Sequence, residues 1–177
     1  MIKKLFILVL LLIAGFLIAA SLQPAEFRTE RSLVIAAPPA VVFDQINDFH
    51  KWDKWSPWAK MDPKANNTFG GPDTGVGSTF AWDGNSEVGA GKMTVTDYKP
   101  GELLRLHMEF IKPFAGSSTA EFTFKPEGQG TKATWAMYGP NNFIGKMMSL
   151  VFNCDKMVGG KFEEGLAAIK TLAEAKK

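Results

Sequence analysis

The feature that most constrains this chain is an uncharged run at its N-terminus, from Leu5 to Leu22. Only Gly15 and Ser21 interrupt its apolar side chains. As a helix, these 18 residues would span about 27 Å, close to the thickness of a hydrocarbon core. The run is apolar on every face and terminal, so it does not read as a core helix of a soluble domain. It is longer than the roughly 7–15 residues of a secretory h-region, which favours a retained anchor. Ile18-Ala19-Ala20-Ser21 also fits a cleavage site, so a cleaved signal followed by secretion stays as the alternative. No Cys follows the run, which excludes lipid attachment of the bacterial lipoprotein kind. Lys3 and Lys4 argue that residues 1–4 stay in the cytoplasm and that the domain lies on the non-cytoplasmic side. Arg28 and Arg31, just beyond the run, weaken that argument.

The chain is thus expected to divide into a short N-terminus (1–4), an anchor or signal segment (5–22), a linker (23–26) and one domain (27–175). Roughly 150 residues suffice to bury a core without disulfide or metal. Fourteen Phe, five Trp and eight Met against two Tyr give a large apolar inventory. Such side chains fill cores and also line pockets for apolar ligands. A net charge of +2 with no Lys/Arg stripe argues against nucleic acid. The single Cys154 cannot form an internal disulfide.

Phe27 to Ile35 alternates and reads as a strand, stopped by Ala36-Ala37-Pro38-Pro39. Pro38 or Pro39 opens a short helix with Val41, Val42, Phe43 and Ile46 on its apolar face. Phe49 to Trp58 carries Trp52, Trp55 and Trp58, a spacing of three that fits one or two tight helical turns broken by Pro57. Asn66 to Gly77 is turn-rich; within it Gly70 to Gly77 lacks the GK[ST] ending of a phosphate loop and reads as a mobile loop, a lid candidate. Five strands are expected next: Ser78–Asp83, Gly91–Tyr98, Glu102–Ile111, Ser117–Lys125 and Thr131–Tyr138. Their short, regular spacing predicts antiparallel hairpins. From Phe143 to Ala175 apolar residues advance by threes and fours, predicting one long amphipathic helix kinked near Gly159-Gly160. The arrangement that buries these faces is an α+β domain, an antiparallel sheet curled around the terminal helix.

Two stretches resemble a known family. One is Ile35-Ala36-Ala37-Pro38-Pro39-Ala40-Val41-Val42-Phe43, followed by Asn47 to Trp58 with its Trp-Ser-Pro-Trp ending. The other is Lys161-Phe162-Glu163-Glu164-Gly165-Leu166-Ala167-Ala168-Ile169-Lys170. They are similar to the START-like (SRPBCC) superfamily, and within it to the polyketide cyclase/dehydrase and lipid-transport family. The resemblance runs from Phe27 to about Lys170. It implies a helix-grip fold with a cavity between sheet and long helix. It implies no fixed catalytic set, because the family's members share the cavity rather than a chemistry.

Strand parity puts Phe80 with Trp82 on one face, and Leu104, Leu106, Met108 and Phe110 on another strand's inward face, opposite Arg105, His107 and Glu109. Trp135 and Met137 alternate with Thr134 and Tyr138. With Met148, Val151 and Phe162 from the terminal helix, this set is either a filled core or the lining of a cavity. Trp52, Trp55 and Trp58 either gate a pocket mouth or plug the space between helix and sheet. The ligand-contacting residues expected are therefore Trp55, Trp58, Phe80, Trp82, Leu106, Met108, Phe110, Trp135, Met137, Met148, Val151 and Asp155. Asp155 lies on the apolar stripe between Val151 and Val158. It is expected to point at the pocket, partly buried, with a raised pKa; the alternative is a rim position paired with Lys156 or a sheet residue. His50 and His107 lack metal-ligand spacing, and no HExxH or CxxC pattern occurs, so no metal or cofactor is expected. Cys154 has no His beside it and does not read as a nucleophile.

Three readings of function follow. The first is an anchored module that binds a small hydrophobic or amphipathic molecule, a lipid or aromatic metabolite. The second is a cyclase- or dehydrase-type enzyme using Asp155 and Tyr138 for proton transfer. The third is an interaction module with a filled interior. Ligand identity, protein partners and oligomeric state leave no mark in the sequence.

Overall fold

The computed structural model describes residues 2–175. An apolar helix, α1 (Ile2–Ser21), precedes a seven-stranded antiparallel sheet in the order β1-β7-β6-β5-β4-β3-β2. The strands are β1 (Glu26–Ile35), β2 (Asn66–Gly70), β3 (Thr79–Asp83), β4 (Ala90–Lys99), β5 (Leu103–Lys112), β6 (Gly116–Glu127) and β7 (Gly130–Pro140). β2 to β7 form a meander, and β1 closes it by pairing with β7 from Glu26↔Pro140 to Ile35↔Thr131. Register shifts at Ala90/Gly91 and Val95/Asp97 in β4 bend the sheet. The terminal α5 (Cys154–Glu174) packs mainly on β1, with further contacts to β7. This is the α+β helix-grip architecture expected from the sequence.

Between β1 and β2 lie α2 (Pro39–Asp44), a 3₁₀ turn (Phe49–Lys54) and α3 (Pro57–Met61). Pro39 and Pro57 each stand at the start of a helix, where a missing N–H costs nothing. Pro57 therefore opens a helix as well as ending the preceding turn. Asp48 caps the 3₁₀ turn by accepting from the His50 N–H at 2.9 Å.

Two expected elements differ. Asn66 to Gly70, part of the stretch expected to be turn-rich, is β2, an edge strand in which Phe69 reaches across to Phe80 at a ring distance of 5.4 Å. Only the remainder of that segment, with Gly71, Gly75 and Gly77 at positive φ, is turn. The long terminal helix is two helices, α4 (Phe143–Val151) and α5, broken at Phe152-Asn153 rather than kinked at Gly159-Gly160. Phe152 is extended, and the Asn153 side chain restarts the helix by accepting from the Lys156 N–H at 2.8 Å. Asn142 caps α4 the same way through Gly145. Gly159 continues α5 and has a steric role: a Cβ there would lie 2.2 Å from the Arg31 guanidinium.

Candidate functional site

Parity and register line up one concave face of the sheet. Its rows run Phe80–Met93–Met108–Ser118, then Trp82–Gly91–Phe110–Gly116, then Leu106–Ala120–Met137, then Leu104–Phe122–Trp135–Arg31. Gly91 is needed where it stands, since a Cβ would meet the Trp82 ring at 2.6 Å. The opposite face carries Arg105, His107, Glu121 and Tyr138.

The half of the concave face nearest α5 is filled. Trp55 is fully buried against Phe122 and Trp135, at ring distances of 6.2 and 5.6 Å. Trp135 stacks on Phe162 of α5 at 4.2 Å with the rings 12° from parallel. Trp58 closes over both, 5.8 Å from Trp135 and 6.4 Å from Phe162. The tryptophan cluster is thus a plug between helix and sheet, and the interior cavity expected there is occupied by aromatic rings. Trp52 and Trp55 satisfy their indole N–H groups on the Ile46 and Gln45 carbonyls, at 2.8 and 2.9 Å. Trp135 does not. It is 4% exposed, and its Nε1 finds no hydrogen-bond partner among the described residues.

The other half of the same face is open. Phe80, Trp82, Met108, Phe110 and Met137 are half-buried there. Ser118 lies on their floor at 4% exposure, and its Oγ also finds no partner among the described residues. Leaving such a group unsatisfied costs about 1–3 kcal/mol. Ser118 Oγ and Trp135 Nε1 are thus two buried polar atoms on one apolar face without a protein partner among the described residues. Ser118 was missed in the sequence. The signal was its parity with Ala120, Phe122 and Phe124, which makes it the polar member of an inward row.

Three expected site residues do not face the interior. Met148 and Val151 are 40% and 63% exposed, because the break at Phe152 lets α4 leave the sheet and lie against α1. The Asp155 side chain is 57% exposed and bound to Arg31. Arg31 Nη2 donates to Asp155 Oδ2 at 3.0 Å, Nη1 to Oδ1 at 3.3 Å, and Nε to Glu163 Oε1 at 2.8 Å. The guanidinium beside Asp155 holds its carboxyl below the usual carboxylate range, opposite to the rise expected for a pocket acid. The partner is a sheet residue, as the rim alternative had it. Arg31 itself is raised, first by Asp155 and then by Glu163. Its inward parity with Thr29, Leu33 and Ile35 was visible in the sequence; its role in fastening the start of α5 was not.

Tyr138 is on the convex face, where its hydroxyl donates to Glu121 Oε2 at 3.1 Å beside Arg105. It shares no surface with Asp155. His50 bonds Asp48 and stacks on Phe69 at 4.1 Å. Among the described residues no cluster of three or more His, Cys, Asp or Glu could hold a metal. Two surface grooves, about 190 Å³ beside Phe69 and about 340 Å³ beside Lys112, lie at turns outside this face.

The family model for polyketide cyclase/dehydrase and lipid-transport proteins matches residues 26–174. This chain belongs to that family. The family's enzymes and carriers make a hydrophobic-ligand-binding or cyclase-like domain the functional class. Solved structures repeat the fold. Protein CV1439 from Chromobacterium violaceum aligns with a TM-score of 0.59 at 18% identity, over 86% of this chain and 99% of that one. Protein MLL2253 from Mesorhizobium loti aligns at 0.64 and 14%, over 85% and 99%. The di-domain ARO/CYC StfQ of the steffimycin biosynthetic pathway aligns at 0.62 and 12%, over 86% of this chain and 52% of its own length. At these identities the likeness is one of fold. No curated protein matches the sequence.

Proposed function

We propose that this family member is a membrane-anchored domain that holds a small hydrophobic or amphipathic molecule, a lipid or aromatic metabolite, on the open half of its concave sheet face. The observation that carries this is the half-buried patch of Trp82, Met108, Phe110 and Met137 with the orphaned Ser118 hydroxyl among them. A ligand's apolar body would cover the patch, and its polar end would satisfy Ser118. Trp135 Nε1 is the second handle, about 13 Å along the strands from Ser118 at about 3.3 Å per residue. α1 is long and apolar enough to cross a membrane, and Lys3 and Lys4 favour a domain on the non-cytoplasmic side. Residues 23–26 then serve as the linker and 27–175 as the binding domain.

A cyclase would need a proton-transfer group on the open face. Asp155 is engaged by Arg31 and Tyr138 faces the other way, so neither supplies one there. The aromatic plug favours a second reading, a module that acts through its surface.

Native mass spectrometry of the full chain, released from a mild detergent, separates the two. The binding domain carries a small molecule of defined mass. Met108→Trp, which fills the open face, removes that molecule while shifting the melting temperature little, since Met108 is only half-buried. A wild-type chain that is empty, together with a Met108→Trp variant destabilised by about 1–3 kcal/mol, would show a filled core and overturn the binding reading.

A further inference from the structure

α4 and its neighbourhood expose apolar side chains on nearly every side. Phe143, Ile144, Met148, Leu150, Val151 and Phe152 are all exposed, as is Met157 one turn into α5. Contiguous apolar surface of this kind marks an interaction site, and three observations identify its occupant. First, α4 is the described element against which α1 chiefly packs, and Ala20 near the end of α1 is buried. Second, the chain leaving α1 is tied to the residues that start α4. Asn141 N donates to the Ala25 carbonyl at 2.8 Å, and Asn141 Nδ2 to the Pro24 carbonyl at 3.2 Å. Third, the β5–β6 turn reaches the same place. Gly116 lies beside Asn142, and Phe114 at the tip of that turn is exposed.

If Leu5 to Leu22 crosses a bilayer, Pro24 and Ala25 mark its surface. Asn141 is then fixed at that level, and α4, which follows it and packs against α1, lies at the depth of the adjoining leaflet. In water its exposed apolar area would be costly; beside an anchor it meets acyl chains. Lys146 and Lys156, within the segment, can extend their aliphatic stems to place their ammonium groups in the headgroup layer.

We infer that α4, with Phe152 and Met157, is a second membrane-embedded element that lies in the leaflet beside the anchor. It sets the open end of the concave face against the bilayer, so that a ligand can pass between lipid and sheet without crossing water. This rests on the anchor reading of α1, which fixes where the membrane lies.

The test uses the full chain, carrying ¹³C-methyl methionine, in phosphatidylcholine–phosphatidylglycerol nanodiscs. Doxyl-labelled lipid should remove most of the Met148 and Met157 methyl intensity and leave Met93, buried in the sheet, sharp. A water-soluble gadolinium chelate should spare Met148 and Met157. If the chain stays with the discs while these two methyls ignore doxyl lipid, the inference falls and the anchor stands. A second copy covering α4 would give that result. If the chain does not stay with the discs, both fall. If the mature chain has lost residues before Ser21 yet still binds the discs with both methyls broadened, α4 holds the membrane by itself, and the anchor reading falls together with the placement of α4 beside it.

Discussion

Trp135→Phe isolates the orphaned indole. The Phe ring keeps the stack on Phe162, 4.2 Å away, and the contact with Trp55. What is lost is about 50 Å² of buried apolar area, worth about 1.2 kcal/mol at about 25 cal/mol/Å². A residual void of about 40 Å³ adds about 1 kcal/mol at about 24 cal/mol/Å³. What is gained is removal of a buried N–H without a partner, about 1–3 kcal/mol. The terms nearly cancel, so the variant should lie within about 1 kcal/mol of wild type, a melting shift of no more than about 4 °C for a domain of this size. Trp135→Ala, with no compensating gain of shape, should lose about 3–5 kcal/mol. Thermal melts of the full chain in detergent micelles, followed by near-UV circular dichroism, read both. A second arm adds the molecule identified by mass spectrometry. If Trp135 Nε1 donates to it, the ligand should raise the wild-type melting temperature more than that of Trp135→Phe. A Trp135→Phe loss of more than about 3 kcal/mol without ligand would mean the N–H is already satisfied, and the site argument built on it would fail.

Two further tests concern the start of α5. Gly160 has open space where a Cβ would go, so Gly160→Ala should add about 0.5–1 kcal/mol from helix propensity alone. Gly159→Ala should fall below it, because the new Cβ displaces Arg31 from Asp155 and Glu163; equal gains at both positions in a urea titration would sink that account. Acid should loosen the same turn. Asp155 has a lowered folded pKa, so the stability it contributes is whole above the unfolded value of about 3.9 and is lost as pH falls through the folded value. The effect should be small for so exposed a pair and is best read as a lower protection factor, with exchange taken relative to the intrinsic rate at each pH, for the amides of Lys156 to Gly159 below about pH 4; protection that does not change with pH there would contradict it.

The sheet was legible because its strands alternate in short runs between turn signals, and period 2 assigns a face to every residue. That parity put Phe80, Met108, Phe110, Trp135 and Met137 on one face, where they lie. The α4–α5 break was not legible for a physical reason. Val151 and Asp155 sit at helical spacing from Met148 and Val158, and an Asn that caps a helix looks the same in sequence as an Asn within one. A Gly pair advertised a kink instead, but Gly159 is there to admit a guanidinium from a strand more than a hundred residues away, a tertiary cause that local pattern does not carry. The fate of Asp155 followed from that break. β2 was hidden because its five exposed residues lack alternation and are followed by glycines.

The division of the concave face into a packed half and an open half also bears on why a domain of this size spends so many aromatics. Burying Trp55, Phe122, Trp135 and Phe162 in mutual contact fixes α5 to β1 and β7 independently of anything bound. The open half can then remain half-buried in the empty protein without threatening the fold. Three places where local rules are broken fall on that open half or at its margin: the unsatisfied Ser118 hydroxyl, the unsatisfied Trp135 indole at the boundary, and the exposed apolar α4 beyond it; a fourth, the buried Asn47 Oδ1, lies away from it between α2 and the 3₁₀ turn. In natural proteins such violations concentrate where function requires them. A bilayer beside α4 and a ligand over Ser118 would remove the first three together, which is why the two proposals, though tested by separate experiments, account for one pattern.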